Sequence, residues 1–239
     1  MPVPVVTADP SWPTVAAADR QAAPFDPAAS PRAELDRQVR AAVDLGLAEL
    51  HGWTAADLAG RVAALADALD EVGDRPPSTV DPQDHVPFVL VLDGGTERAN
   101  AAVAATRRGP RPGVSVIDDA ELATYAPLPD AVAPAAPYLL LDVDTGSELC
   151  GVPPEQALVT VRQRGRLPLT IAEGLALVAL RPDMLRPNRC FSLLGSRARN
   201  QRVPALWISA RAPKLGWCWD RNPHTWLGAA SAGARVAAA

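Results

Sequence analysis

The chain has 239 residues, 48% of them hydrophobic and only 5% aromatic, enough to bury a core as one domain or as two small ones. Its formal charge of -4 is uneven, because residues 1–149 hold 10 Lys+Arg against 23 Asp+Glu and residues 150–239 hold 13 against 4. Three cysteines without paired spacing, and no apolar run near the ~20 residues of a membrane helix, argue against a disulfide scaffold or a membrane protein and for a soluble cytoplasmic one.

Residues 1–31, rich in Pro, Ala and Asp and lacking a secretion signal, read as an extended arm that Trp12 can tack onto the body. Residues 32–73 read as a helical hairpin. Its first helix carries Leu35, Val39, Val43 and Leu47 on one stripe up to Gly52; its second is capped by Thr54 with Asp57 three positions on, and buries Leu58, Val62, Leu65 and Leu69. The loop 73–84 precedes a body spanning 86–236. There, 86–93 is a strand, 96–106 a helix and 113–118 a short strand, which suggests a parallel unit, and 138–144 is a further strand apolar on both faces. Helices follow at 153–164, opened by prolines, and at 170–180, where Thr170 and Glu173 spell a capping box. Strands at 190–196, 205–210 and 215–219 then read as antiparallel neighbours. The expected class is α/β or α+β, with a single mixed sheet flanked by helices and the helical hairpin at its N-terminal side.

The stretches DRQV, VPFVLVLD, YLLLDVDTGSE, GRLPLTIAEGLAL, NRCFSLLGSR and RVPALWISARAPKLGWCWDRNPHTWLG together resemble an actinobacterial family with no assigned function, from about Ala33 to Arg235. The resemblance implies a soluble bacterial protein with a shared C-terminal motif. It supplies no activity.

Candidate chemistry concentrates in Lys214–Gly228, which holds three of the six tryptophans together with Cys218 and His224. A thiolate at Cys218 activated by His224 would make a nucleophile, whereas strand alternation in LGWCW would bury Cys218 opposite Trp217 and Trp219. Cys150, Cys190, Cys218 and His224 have the ligand types of a zinc site without its close spacing, so no metal is assigned. Asp142, Asp144 and Glu148 at a strand end suit either Mg²⁺ or acid–base work, or a simple turn. LDGGTERAN (92–100) suits a phosphate cradle at a helix start, without the full glycine spacing.

The strongest constellation is collective. Arg197, Arg199, Arg202, Arg211, Lys214 and Arg221 lie close in sequence to Trp207, Trp217, Trp219 and Trp226. Guanidinium groups grip carboxylate or phosphate and stack on indole, which favours a small anionic ligand or an acidic protein surface over nucleic acid. In the expected concave site Arg197, Arg202 and Arg221 attract the anion, Trp217 or Trp219 forms a flat wall, and Asn222 and His224 orient the ligand. The plainer reading makes the tryptophans core and the arginines a rim neutralised by the acidic half. An enzyme using His224 with Cys218 or Asp142, and a scaffold or accessory subunit, are the other function classes; the cofactor and the oligomeric state stay open.

Overall fold

The computed structural model describes residues 22–69, 79, 81–134 and 137–238. Most of the expected arm, with Trp12, and the end of the expected hairpin lie outside the described residues. Six helices are described: α1 Pro31–Asp44, α2 Ala55–Ala63, α3 Ala99–Ala105, α4 Asp119–Leu122, α5 Pro154–Gln163 and α6 Ile171–Leu180. The strands in chain order are β1 His85–Val91, β2 Arg107–Arg108, β3 Arg111–Pro112, β4 Val114–Ser115, β5 Ala126–Pro127, β6 Tyr138–Asp144 and β7 Leu167–Pro168. They continue with β8 Cys190–Ser192, β9 Ser196–Arg197, β10 Arg202–Ser209, β11 Ala212–Trp219, β12 Leu227–Ala229, β13 Ser231–Ala232 and β14 Ala234–Ala237.

The fold is α+β, but its strands form two five-stranded sheets and two two-stranded ribbons, β2–β3 and β5–β9, not the single sheet expected. In the first, β6 is flanked by β1 on one side and by β13 and β14 on the other, with β7 beyond β13, all antiparallel. In the second the order is β12-β8-β10-β11-β4, with parallel pairs at both edges and antiparallel pairs between. The returning chain end occupies the free side of β6, so the C-terminal strands build their own sheet. For the same reason the expected parallel unit does not form. β1 pairs antiparallel with β6, and residues 114–115 join β11.

Local signals set the helices. Ser30 caps α1, and Thr54–Asp57 and Thr170–Glu173 form complete capping boxes at α2 and α6. α1 stops at Asp44 because Gly46 takes φ +76°, so Leu47 packs from the following turn and not from the helix. α1 also carries a buried amide: Gln38 Nε2 donates to the Phe88 carbonyl at 3.2 Å and Oε1 accepts the Leu90 N–H at 2.8 Å. Those bonds satisfy the edge of β1 that no strand covers. α6, buried along most of its length, packs between α1, α3 and β1, and one hydrophobic core runs from Leu35 to Ala232.

Behind β6 a buried ion pair fixes the chain end. Arg235 donates to Glu173 at 2.6 and 2.9 Å, and the Tyr138 hydroxyl donates to the same carboxylate at 2.9 Å. Close backbone approach fixes the junction between the two sheets. A Cβ on Gly228 would meet the Gly146 carbonyl oxygen at 2.2 Å, a separation that only glycine allows.

Candidate functional site

β10 and β11 form a hairpin whose turn residues Ala210 and Arg211 take φ +50° and +64°, and its register is unbroken from Arg202↔Trp219 to Ser209↔Ala212. Pleat alternation therefore puts Arg202, Trp217 and Trp219 on one face and Val203, Trp207, Lys214 and Cys218 on the other. On the first face the Arg202 guanidinium lies 3.9 Å from the centre of the Trp217 ring and 5.9 Å from that of Trp219. Trp219 is 48% exposed. Arg202 also donates to Glu121 Oε1 at 2.7 Å, the oxygen that accepts the Tyr125 hydroxyl at 3.3 Å. Burial, with the Glu121 charge beside it, holds the Tyr125 phenol well above its ordinary range.

Beside this stack lies a hollow of about 340 Å³ whose wall includes Arg197, Arg199, Arg202, Leu158, Glu155 and Asp220. Arg197 bonds Asp220 at 2.9 Å, and Arg221 on the rim bonds Glu155 at 3.2 Å. The Arg199 side chain is exposed and has no ion pair among the described residues. Arg197, Arg202 and Arg221 thus already hold a carboxylate, and among the described residues Arg199 of the wall holds none.

The other expected members fall elsewhere. Trp217 and Trp219 clamp Arg202 and do not line the hollow, and neither Asn222 nor His224 reaches it. The turn after Trp219 folds back toward the start of α5. There the Asp220 carbonyl accepts the Glu155 N–H at 3.0 Å, and the His224 carbonyl accepts the Gly151 N–H at 2.8 Å. The His224 ring lies 5.2 Å from that of Trp226, which in turn is 6.3 Å from Trp207 on the inner face of the hairpin. Cys218 faces inward too, 7% exposed, and burial pushes its thiol up to about 11. This is the buried orientation that strand alternation predicts, and it disfavours the alternative reading of Cys218 as a nucleophile. No cysteine or histidine joins a metal-sized group of ligand atoms among the described residues, so the zinc combination does not assemble.

A second polar assembly closes the end of the first sheet where β6 meets β1 and β13. Asp142, expected beside His224, is instead bound by Arg166 Nη1 at 2.8 Å and lies 3.1 Å from His85 Nε2, with its backbone at φ +51°. Asp144 and Glu148 go to a different group, in which oxygens of Asp84, Asp144 and Glu148 all lie within 4.8 Å of one another. Arg186 and the Ser147 hydroxyl hold Asp84, and Arg164 holds Glu148. Asp144, bonded by the Gly146 N–H at 2.7 Å, makes no ion pair among the described residues, and burial, opposed by that N–H and by the charge of Arg166, raises its carboxyl to about 6. Glu148 Oε2 is buried without a hydrogen-bond partner. With Arg186 on Asp84 and Arg164 on Glu148, the three carboxylates keep one net negative charge, which adds to the burial that raises the Asp144 carboxyl. Asp84, His85 and Arg166 were not singled out in the sequence, although DPQDH ahead of a strand concentrates titratable groups where loops converge.

Residues 41–238 match a family described as one of unknown function, DUF5701. The chain belongs to it. No curated protein and no solved structure matches the chain. Both polar assemblies of this DUF5701 protein fall inside the matched span, whereas the Ser30 cap and the Glu34–Arg37 pair of α1 precede it.

Proposed function

We propose that this DUF5701 protein is a binding protein and that the hollow walled by Arg197, Arg199 and Arg202 takes an anionic ligand. The observation that carries the reading is the pairing of a free guanidinium, Arg199, with one already held flat, Arg202 on Trp217 at 3.9 Å. A guanidinium stacked on indole has lost little freedom on binding, so its unused N–H groups are pre-organised for a carboxylate or phosphate. Trp217 and Trp219 stand outside the hollow and serve it only by holding Arg202 in place. Asp220, Glu121 and Glu155 compete for the same cations, which favours a ligand with two anionic groups or an acidic segment of a partner over a single inorganic ion.

Thermal shift with nucleotides, sugar phosphates and dicarboxylates tests this, because a ligand that binds only the folded state stabilises it in proportion to the logarithm of its concentration. Arg199→Ala removes an exposed side chain with no ion pair among the described residues and is expected to leave the unliganded melting temperature unchanged while weakening the best ligand by about tenfold or more. Equal shifts in both proteins would refute the site. The second reading, catalysis, rests on the His85–Asp142 contact at a residue in the left-handed region. It requires a group that reacts beside His85, and activity abolished by His85→Gln but not by Arg199→Ala would favour it.

A further inference from the structure

Where α1, β1, α3 and α6 meet, the core does not close. A hollow of about 60 Å³ remains, walled by Leu90 of β1, Leu175 of α6 and four alanines, Ala99 and Ala102 of α3 and Ala172 and Ala176 of α6. Spacings of three and four residues put each alanine pair on one side of its helix, and side chains that short leave the space unfilled. The space exceeds the roughly 10–15 Å³ that one water needs, yet these walls offer water no hydrogen bond. Protein cores contain few voids of that kind. The loop after β1, which the sequence suggests as a phosphate cradle, borders the hollow on its exposed side. Its groups are spent internally: the Gly95 N–H donates to Asp93 Oδ1 at 3.0 Å, and Arg98 donates to Asp93 Oδ2 at 2.8 Å and to the Leu50 carbonyl at 2.9 Å. Asp93 and Arg98 thus cancel each other's charge at the opening. The third polar side chain there is His51, whose ring stacks on Trp53 at 4.7 Å and makes no hydrogen bond among the described residues. Burial, with the Arg98 charge nearby, holds the imidazole below its ordinary pKa, so at neutral pH it is uncharged with one donor and one acceptor nitrogen unused.

We infer that this hollow is a binding site for a short unbranched aliphatic molecule with an uncharged hydrogen-bonding head, a primary alcohol or amide. The apolar walls take the carbon chain, and His51 offers the head an acceptor and a donor. The hollow is well under the roughly 150 Å³ of a cavity that admits benzene, so a chain fits and a ring does not. An anion or an ammonium group would have to leave water for an opening whose own charges already cancel. The hollow shares no lining residue with the arginine hollow, so the inference does not depend on the proposed function.

Titration of the full chain, carrying isotope-labelled alanine methyl groups, with 1-butanol tests the inference. Saturable shifts are expected at the methyl groups of Ala99, Ala102, Ala172 and Ala176. Butyrate and butylammonium keep the chain and add a charge, and cyclohexanol keeps the hydroxyl on a ring; each is expected to bind the wild type at least about tenfold more weakly. Ala176→Leu fills the hollow and is expected to abolish the shifts at the other three alanines while leaving the melting temperature unchanged or raised. His51→Phe keeps an aromatic ring beside Trp53 without the two nitrogens and is expected to weaken 1-butanol by about fivefold or more. R199A is expected to bind 1-butanol like the wild type. Absence of saturable shifts up to roughly 10 mM, butyrate or cyclohexanol binding the wild type as tightly as 1-butanol does, or unchanged affinity in A176L or H51F would each overturn the assignment.

Discussion

Replacing Asp144 by Asn tests whether the carboxylate group at the end of the first sheet is balanced by a proton. Asp144 is buried, and that burial, opposed by the Gly146 amide and reinforced by the charges of Glu148 and Asp84, lifts its carboxyl from 3.8 to about 6. The folded chain therefore binds this proton more tightly than the unfolded chain does. Its contribution to stability is complete below about pH 4 and is lost as pH rises through 6, which amounts to at most roughly 3 kcal/mol at neutral pH. Asparagine keeps the oxygen that accepts the Gly146 N–H and cannot ionise. The difference in melting temperature between D144N and the wild type should become more positive from pH 4 to pH 7.5. For a chain of this size each kcal/mol is worth about 2–4 °C, so the full change is on the order of 6–12 °C. Calorimetric melts of both proteins across that range decide the matter. A constant difference would show that Asp144 does not take up a proton on folding, and a difference that becomes more negative with pH would show its carboxylate held ionised by a bound cation.

Other residues give sharper local tests. Cys218, buried and with a thiol pushed up to about 11, should resist iodoacetamide at pH 7.5 until the chain is unfolded in urea, and rapid labelling of the native protein would contradict the inward orientation. Arg235→Met should cost roughly 3–5 kcal/mol in urea unfolding because it leaves Glu173 buried without its cation; a loss below about 1 kcal/mol would mean that Glu173 is neutral in the fold. The two glycine positions Gly228 and Gly60 should move stability in opposite directions. Gly228→Ala forces a Cβ onto the Gly146 carbonyl and should abolish or severely weaken folding, whereas Gly60→Ala, in α2 with open space around it, should stabilise by up to about 1 kcal/mol; equal effects in urea titrations would remove the close-approach argument.

Features determined within a few residues were legible in the sequence. The capping boxes at Thr54 and Thr170, the strands around Leu140 and Leu206, and the inward turn of Cys218 between two tryptophans all follow from local spacing, and the structure contains each of them. Pairing partners were not legible. An apolar strand such as β6 accepts a neighbour on either side with nearly equal ease, and it was the distant segment 231–237 that took the second side and forced two sheets. The candidate site divides along the same line. Arg202 meets Trp217 and Trp219 because a tight hairpin connects them, while the carboxylate that steadies Arg202 comes from Glu121, 81 positions away, with no local mark.

The same distance effect changes what the charge imbalance means. A C-terminal segment with 13 cations against 4 acids looks, by composition, like an anion-binding surface. In the fold six of its arginines reach back to the acidic segment: Arg162 to Asp130, Arg164 to Glu148, Arg166 to Asp142, Arg186 to Asp84, Arg189 to Asp81 and Arg202 to Glu121. Most of the excess is thus consumed in joining the two parts of one chain, and an anion arriving from solution would have to displace a tethered carboxylate at each of those six. Among the described residues Arg199, Arg211 and Lys214 hold no carboxylate, and of these Arg199 is the one that lines the arginine hollow, where an outside anion meets no such competitor. Anion binding, as proposed, therefore rests on one unpaired guanidinium beside a stacked one and not on the charge of the segment as a whole.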